Sequence, residues 1–310
     1  MRAAIIIAVA VSLLLAATGP ALGRRLPPAV GARLLVAASV LVAGCSVFVL
    51  GVMAFTWVGQ LAPVAAFGEW SVADLRTADP IPTEIAAASV VLLLPAAGWW
   101  LLVVTRRYQA LLAAHRSCRH LTAGALVVVD DQRPDAFTTP QPAGRIVVTT
   151  GLLHALTDQE RRVVLAHETS HLLHRHAWWL LAADLAAAAN PLLRPTARAA
   201  ARCVERWADE DAATTTGDRR AAARALARTA LLTRNPDLAG RLALSATGGD
   251  VPARVRALMA PPPRARPANV AVLAALLLVL CAATLMVQHR GEQLFEHAGH
   301  HRIAAADNHR

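Results

Sequence analysis

Lysine is absent from this 310-residue chain, so its 31 basic residues are all arginine. Charge of any kind is scarce. Charged residues make up 17% of the sequence, against about a quarter in soluble globular domains, while 55% is apolar and mean hydropathy is +0.42. A deficit of this kind argues against a purely water-soluble protein. The four cysteines, Cys45, Cys118, Cys203 and Cys281, form no CxxC pair and no regular spacing, which argues against a disulfide framework or a cysteine-type zinc site. Aromatics are few, at 4%, with Tyr108 the single tyrosine. None interleaves with the arginines of runs such as Arg219, Arg220, Arg224 and Arg228, so the stacking platform of a single-strand nucleic-acid binder is missing. The net charge of +10 is therefore read as solvated helix faces near anionic lipid, and no direct nucleic-acid binding is expected. No internal repeat is present.

What the chain has in abundance is long apolar runs. Residues 1–22, 34–59, 85–105 and 268–288 are nearly free of charge, and each matches the roughly 20 residues a helix needs to cross a bilayer. The first could be read as a cleaved signal peptide. Its apolar stretch exceeds the usual length of about 7–15 residues, however, and Arg24-Arg25 follows it. Loop charge gives an orientation. Arg24, Arg25 and Arg33 follow the first run and Arg106, Arg107, Arg116 and Arg119 the third, whereas Glu69, Asp74, Asp79 and Glu84 lie between the second and third. The expected organisation is a multi-pass protein of the cell membrane. Three transmembrane helices occupy residues 1–105, a cytoplasmic domain 106–267, a fourth span 268–288, and a short His-containing tail 289–310 is read as disordered. The prolines between Pro261 and Pro267 read as a stiff, extended connector into the last span.

The chemistry is concentrated in DQERRVVLAHETSHLLHRH, residues 158–176. Val163, Val164, Leu165, Leu172 and Leu173 recur at helical spacing, so His167 and His171, four apart, project from one face and can share a metal ion. Glu168 sits beside them, within reach of a water held there. Two imidazoles with an open position suit zinc, although an HExxH in a histidine-rich stretch can also be a pair of core or capping histidines. A second motif weighs against that reading. Glu205 and Asp209 lie four apart in ARAAARCVERWADEDAA, a run of strong helix formers. Glu205 completes a two-histidine, one-carboxylate zinc site, and Asp209 can hold a ligand imidazole, that of His167, through its other nitrogen. His174 and His176 are weaker candidates. For the oxyanion, Tyr108 is poorly placed, and no spacing argument selects Arg219.

Residues 177–193 are apolar enough to suggest a further span. His171 and Glu205 must lie on one side, and two crossings need roughly 40 residues or more, which residues 172–204 do not supply. Asp184 adds a cost in lipid. The segment is expected to be a buried helix, or one packed on the spans or the membrane surface, turning at Asn190-Pro191.

With HExxH followed by ExxxD, the chain resembles the gluzincin membrane peptidases of the M56 and M48 families. Three more stretches fit that pattern: Pro134-Asp135-Ala136-Phe137, Ile146 to Leu153, and Glu160 ahead of the HExxH. The layout of three spans, zinc domain and fourth span is closer to the M56 receptor-protease type, without its penicillin-binding sensor domain. The resemblance implies a mostly α, multi-span protein with a cytoplasmic α+β gluzincin-type domain. It implies one Zn2+ per chain on His167, His171 and Glu205, no organic cofactor, and Glu168 as general base for hydrolysis of protein or peptide substrates. An extended peptide would pair with the strand Arg145–Thr150 as the cleft edge, unless that strand has no substrate role. M56 likeness points to a transcriptional repressor as target, and M48 likeness to membrane-protein quality control. A non-catalytic receptor or scaffold is the alternative outside enzymes. Membrane lipid is the remaining expected partner.

Overall fold

The computed structural model describes residues 2–78, 82–117, 125–139, 144–233, 251–261 and 267–307. Helices α1 (Arg2–Arg25) and α2 (Pro28–Val58) form a hairpin around the Leu26-Pro27 turn, with Pro28 at the first helical position where its missing N–H costs nothing. Two short helices, α3 (Ala62–Phe67) and α4 (Val72–Ala78), lead to α5 (Thr83–Ser117). Among the described residues, four stretches are long and apolar enough to cross a membrane: Ile5–Arg25, Pro28–Val58, Thr83–Ala113 and Val270–Glu296. The last belongs to the terminal helix, Pro267–Asp307. Leu92, Leu94 and Leu101 on α5 and Leu278, Val279 and Leu285 on the terminal helix stay exposed, as lipid-facing side chains do.

Between these spans lies a small sheet and a compact helical unit. Strands β1 (Leu126–Val129), β2 (Ala136–Thr138) and β3 (Ile146–Thr149) are ordered β1-β3-β2. β3 pairs in parallel with β1 (Val127 opposite Val147) and antiparallel with β2 (Phe137 opposite Val147). The strand expected at the cleft edge is thus central, with both edges occupied and all four residues buried. A continuous apolar run such as Ile-Val-Val suits an interior strand. Helices α6 (Thr150–Ala155), α7 (Asp158–Leu173), α8 (His176–Ala189), α9 (Arg194–Thr216), α10 (Arg219–Leu232) and α11 (Val251–Met259) follow, and the terminal helix is α12.

The segment 177–193 holds a helix of only 14 residues, short of a span. It enters the bundle as α8, turns through a 3₁₀ turn at Pro191–Leu193, and returns as α9. Asn190 Nδ2 donates to Ser12 Oγ at 2.9 Å and Ser46 Oγ at 3.2 Å, which satisfies a buried amide deep among the spans. Asp184 is ion-paired with Arg107 of α5. α9 approaches α1 and α2 through small residues, with Ala199, Ala200 and Cys203 in one buried cluster with Leu35 and Val36. A Cβ at Gly23 or at Gly31 would meet Cys203 Sγ at 3.1 Å, so both glycines allow the helices to close in.

The tail expected to be disordered instead continues α12 through Asp307. Its Gln293, Leu294 and Glu296 favour helix, and Leu294 is buried. Connector residues 262–266, and Cys118, lie outside the described residues.

Candidate active site

α7 begins with a capping box. Thr157 Oγ1 accepts from Glu160 N–H at 3.4 Å, while Glu160 Oε2 accepts from Thr157 N–H at 2.8 Å, so two orphan donors of the first turn are satisfied. Asp158 and Glu160 also place negative charge at the helix start. The helix packs on α9 through Val163 against Ala212 and Ala213, which turns His167 and His171 toward Glu205.

The three groups converge. His167 Nε2 and His171 Nε2 lie 3.1 Å apart, and Glu205 offers Oε2 and Oε1 at 3.8 Å from the two nitrogens respectively. One donor atom from each falls within 4.8 Å of the others. Asp209, one turn beyond Glu205 and 5% exposed, accepts from His167 Nδ1 at 3.2 Å.

His171 is held in the same manner by a residue that the sequence ranks low. α7 ends at Leu173 with His174 as its cap, and Arg175 takes a left-handed conformation (φ 53°) that folds the next helix back on the last. His176, wholly buried, then lies with Nδ1 3.0 Å from His171 Nδ1. For His171 Nε2 to present a lone pair to the cluster, its Nδ1 must carry the proton and donate it to His176. Among the described residues, His176 Nε2 is buried without a partner. Burial, together with the neighbouring His171 and His174, pushes the His176 pKa down to about 3, so this ring is a neutral acceptor. His174 points elsewhere, to Asp211 at 3.0 Å, with its ring on Trp207.

Two further residues complete the surroundings. Arg254 of α11 donates Nε and Nη2 to the two oxygens of Asp209 at 2.8 and 2.7 Å, and Nη1 to Glu205 Oε2 at 3.0 Å. Burial alone would push the Asp209 carboxyl up, but the Arg254 and His167 bonds hold it well below the usual carboxylate range. Thr138 of β2 donates Oγ1 to Glu168 Oε2 at 2.7 Å. Burial raises the Glu168 pKa, partly countered by His167 and Thr138. For His167, burial lowers the pKa but the Asp209 bond reverses it and leaves it raised, whereas His171 is driven well below its ordinary value by burial and by His167 and Arg254. Two imidazoles and one carboxylate converging on one point fit a divalent cation. The separations of 3.1–3.8 Å are of the size that a four-coordinate ion with bonds of about 2.0–2.2 Å spans, and N2O donor sets are a known zinc type.

Neither of the groups weighed for the oxyanion reaches the cluster in this structure. Arg219 is bound to Glu210 and to the carbonyls of Ala257, Leu258 and Ala260, tying α9 to α11. Tyr108 is exposed on α5. Arg254 and Thr138 carried no local sequence signal. His176 carried one, its place in a histidine run, but without the Arg175 turn its contact cannot be read.

Residues 104–189 match the family model "Peptidase family M48", a stretch that holds β1–β3, α6, α7 and α8 but stops before the helix bearing Glu205. Among curated proteins, the chain is 53% identical over 51 residues to a "Protease HtpX homolog" of Acidiphilium cryptum (16% of this chain, 17% of that protein). It is 42% identical over 52 residues to one of Sulfurovum sp. (16% and 19%), and 41% over 51 residues to one of Burkholderia mallei (16% and 18%). In each case the match spans less than a fifth of the relative's length. No solved structure matches. These findings support the M48 side of the expected resemblance and give the M56 assignment no support.

Proposed function

We propose that the chain is a multi-pass membrane endopeptidase that depends on zinc, with His167, His171 and Glu205 as the metal-holding residues and Glu168 as the general base. The observation that carries this reading is the convergence of two Nε2 atoms on one carboxylate while Asp209 and His176 hold the Nδ1 atoms behind them. Zinc bound there would supply Lewis acidity, polarising a scissile carbonyl and acidifying water. The residues supply the rest. Thr138 fixes the Glu168 carboxylate beside the cluster, its raised pKa suits it to accept a proton from water, and the same group can return that proton to the leaving amine. Arg254 keeps Asp209 ionised, and Asp209 keeps the His167 proton on Nδ1.

The substrate class proposed is protein or peptide. β2 is an outer strand of the sheet and packs against α7, so an extended chain pairing with its outer edge would pass Thr138 and Glu168. The M48 likeness favours membrane-protein quality control as the role. The repressor target rested on the M56 likeness and falls with it. The arginines flanking α1 and α5 support a cytoplasmic position for the catalytic unit. The experiment that tests this reading is metal analysis of the purified chain: one zinc per chain is expected, lost in His171→Ala because two protein ligands rarely hold zinc. Full zinc in that variant would remove the assigned ligand set.

A further inference from the structure

Beside the metal cluster a cavity of about 900 Å³ opens between the end of α1, α8, α9 and α11. Seven arginines line it, against two carboxylates, Asp184 and Glu205. Both acids are already committed, to Arg107 and Arg254. Four of the arginines, Arg194, Arg198, Arg202 and Arg206, follow one another at intervals of four along α9, the spacing at which like charges repel across a helix face. Among the described residues no carboxylate pairs with Arg194, Arg198 or Arg202. Arg206 donates to the Gly23 carbonyl at 3.2 Å, and its Nε is buried without a partner among the described residues. Arg194, Arg198 and Arg202 are exposed, and an anion along the row would relieve the repulsion between them.

The position of the row says which anion. Thr196 Oγ1 donates to the Leu15 carbonyl at 2.9 Å, and Leu15 is ten residues from Arg25, the end of a stretch able to cross the membrane. At about 1.5 Å per residue the row starts some 15 Å along α1 from Arg25, at the depth of the middle of that stretch, and climbs toward Arg25, where Arg24 adds a charge to the same cavity. A guanidinium is costly at that depth unless it reaches toward the headgroups. The walls between the arginines are small and apolar, with Ala187, Ala197 and Ala201 among them. Cationic side chains reaching for the headgroup level above an apolar wall suit a phosphate that carries acyl chains, better than a water-borne acid.

We propose that this cavity binds the phosphate of an anionic phospholipid from the leaflet on the catalytic side, held chiefly by Arg24, Arg198, Arg202 and Arg206. The inference rests on the spans and on α9, not on the hydrolytic reading, so its test reads lipid retention and not proteolysis. The zinc-loaded full chain is taken from vesicles of phosphatidylglycerol and phosphatidylcholine, and bound lipid is measured by native mass spectrometry. The wild type should retain one phosphatidylglycerol with at least ten-fold preference over phosphatidylcholine. At roughly five-fold per arginine near a membrane surface, Arg198→Gln/Arg202→Gln should weaken it about 25-fold. Arg220→Gln/Arg224→Gln, the same charge change on α10, should leave it within two-fold. Equal retention of the two lipids by the wild type overturns the proposal, and that arm needs no variant to fold. Equal losses in the two double variants overturn it too, since they mean a diffuse charge effect. Displacement of the lipid by millimolar inorganic phosphate, or by a polyglutamate peptide at concentrations below that of the lipid, likewise overturns it in favour of a free phosphate or an acidic chain.

Discussion

Replacing Asp209 by Asn leaves shape unchanged and removes one charge from a buried set of three groups. In the folded chain Asp209 is 5% exposed, accepts two bonds from Arg254 at 2.7 and 2.8 Å and one from His167 at 3.2 Å. An amide has one oxygen for three donors, and its NH2 group faces other N–H groups. Orphaning one member of a buried ion pair costs about 3–5 kcal/mol, and the lower end applies because Arg254 retains Glu205 at 3.0 Å. At about 2–4 °C per kcal/mol for a unit of 150–250 residues, the metal-free variant should unfold roughly 6–12 °C below wild type in mild detergent. Zinc affinity, by chelator competition, should fall about 10–100-fold, as for other groups that orient a ligand imidazole. Glu205→Gln should lose more zinc than this. The decisive comparison is Asp209→Asn/Arg254→Gln, which removes the orphaned guanidinium and should recover part of the lost stability, with a coupling of about 0.5–3 kcal/mol. A double variant no more stable than the single would refute the argument, and so would a metal-free Asp209→Asn that unfolds with wild type.

His176→Ala should lower zinc affinity about 10–100-fold while Glu168 chemistry is otherwise intact, and equal affinity in the same chelator competition would show that His171 needs no support. Gly23→Ala should destabilise by about 1–3 kcal/mol, because its Cβ would sit 3.1 Å from Cys203 Sγ and 3.3 Å from Leu35 Cδ1; an unshifted unfolding midpoint would contradict that packing. Reporters fused at Ala230 and after Ala306 should lie on opposite sides of the membrane, and reporters on the same side would mean that α12 does not span.

The spans and the reactive helix were legible because each depends on a local pattern. Apolar length marks α1, α2, α5 and α12, and the four-residue spacings of His167 with His171 and Glu205 with Asp209 place each pair on one face. Length arithmetic was enough to stop residues 177–193 from crossing. The rest depends on contacts between distant elements. Arg254 meets Asp209 from 45 residues away on a helix with no signature of its own. His176 reaches His171 only because Arg175 adopts a positive φ, which nothing in that arginine's identity announces. β3 is central because β1 pairs with it in parallel, and a run of Ile-Val-Val reads the same at an edge or in the middle. The tail was misread from its histidines, whose polarity masks a helix continued from the last span.

The central claim is that Glu168 performs proton transfer at a metal it does not hold. Its most direct test is hydrolysis of an unfolded protein such as casein by wild type and Glu168→Gln, each purified with zinc and assayed at equal metal content. The account predicts that wild type cleaves internal peptide bonds and that the variant, with its zinc retained, loses at least the factor of about 10²–10⁴ that a positioned general base contributes. A zinc-loaded Glu168→Gln that cleaves as fast as wild type would contradict it.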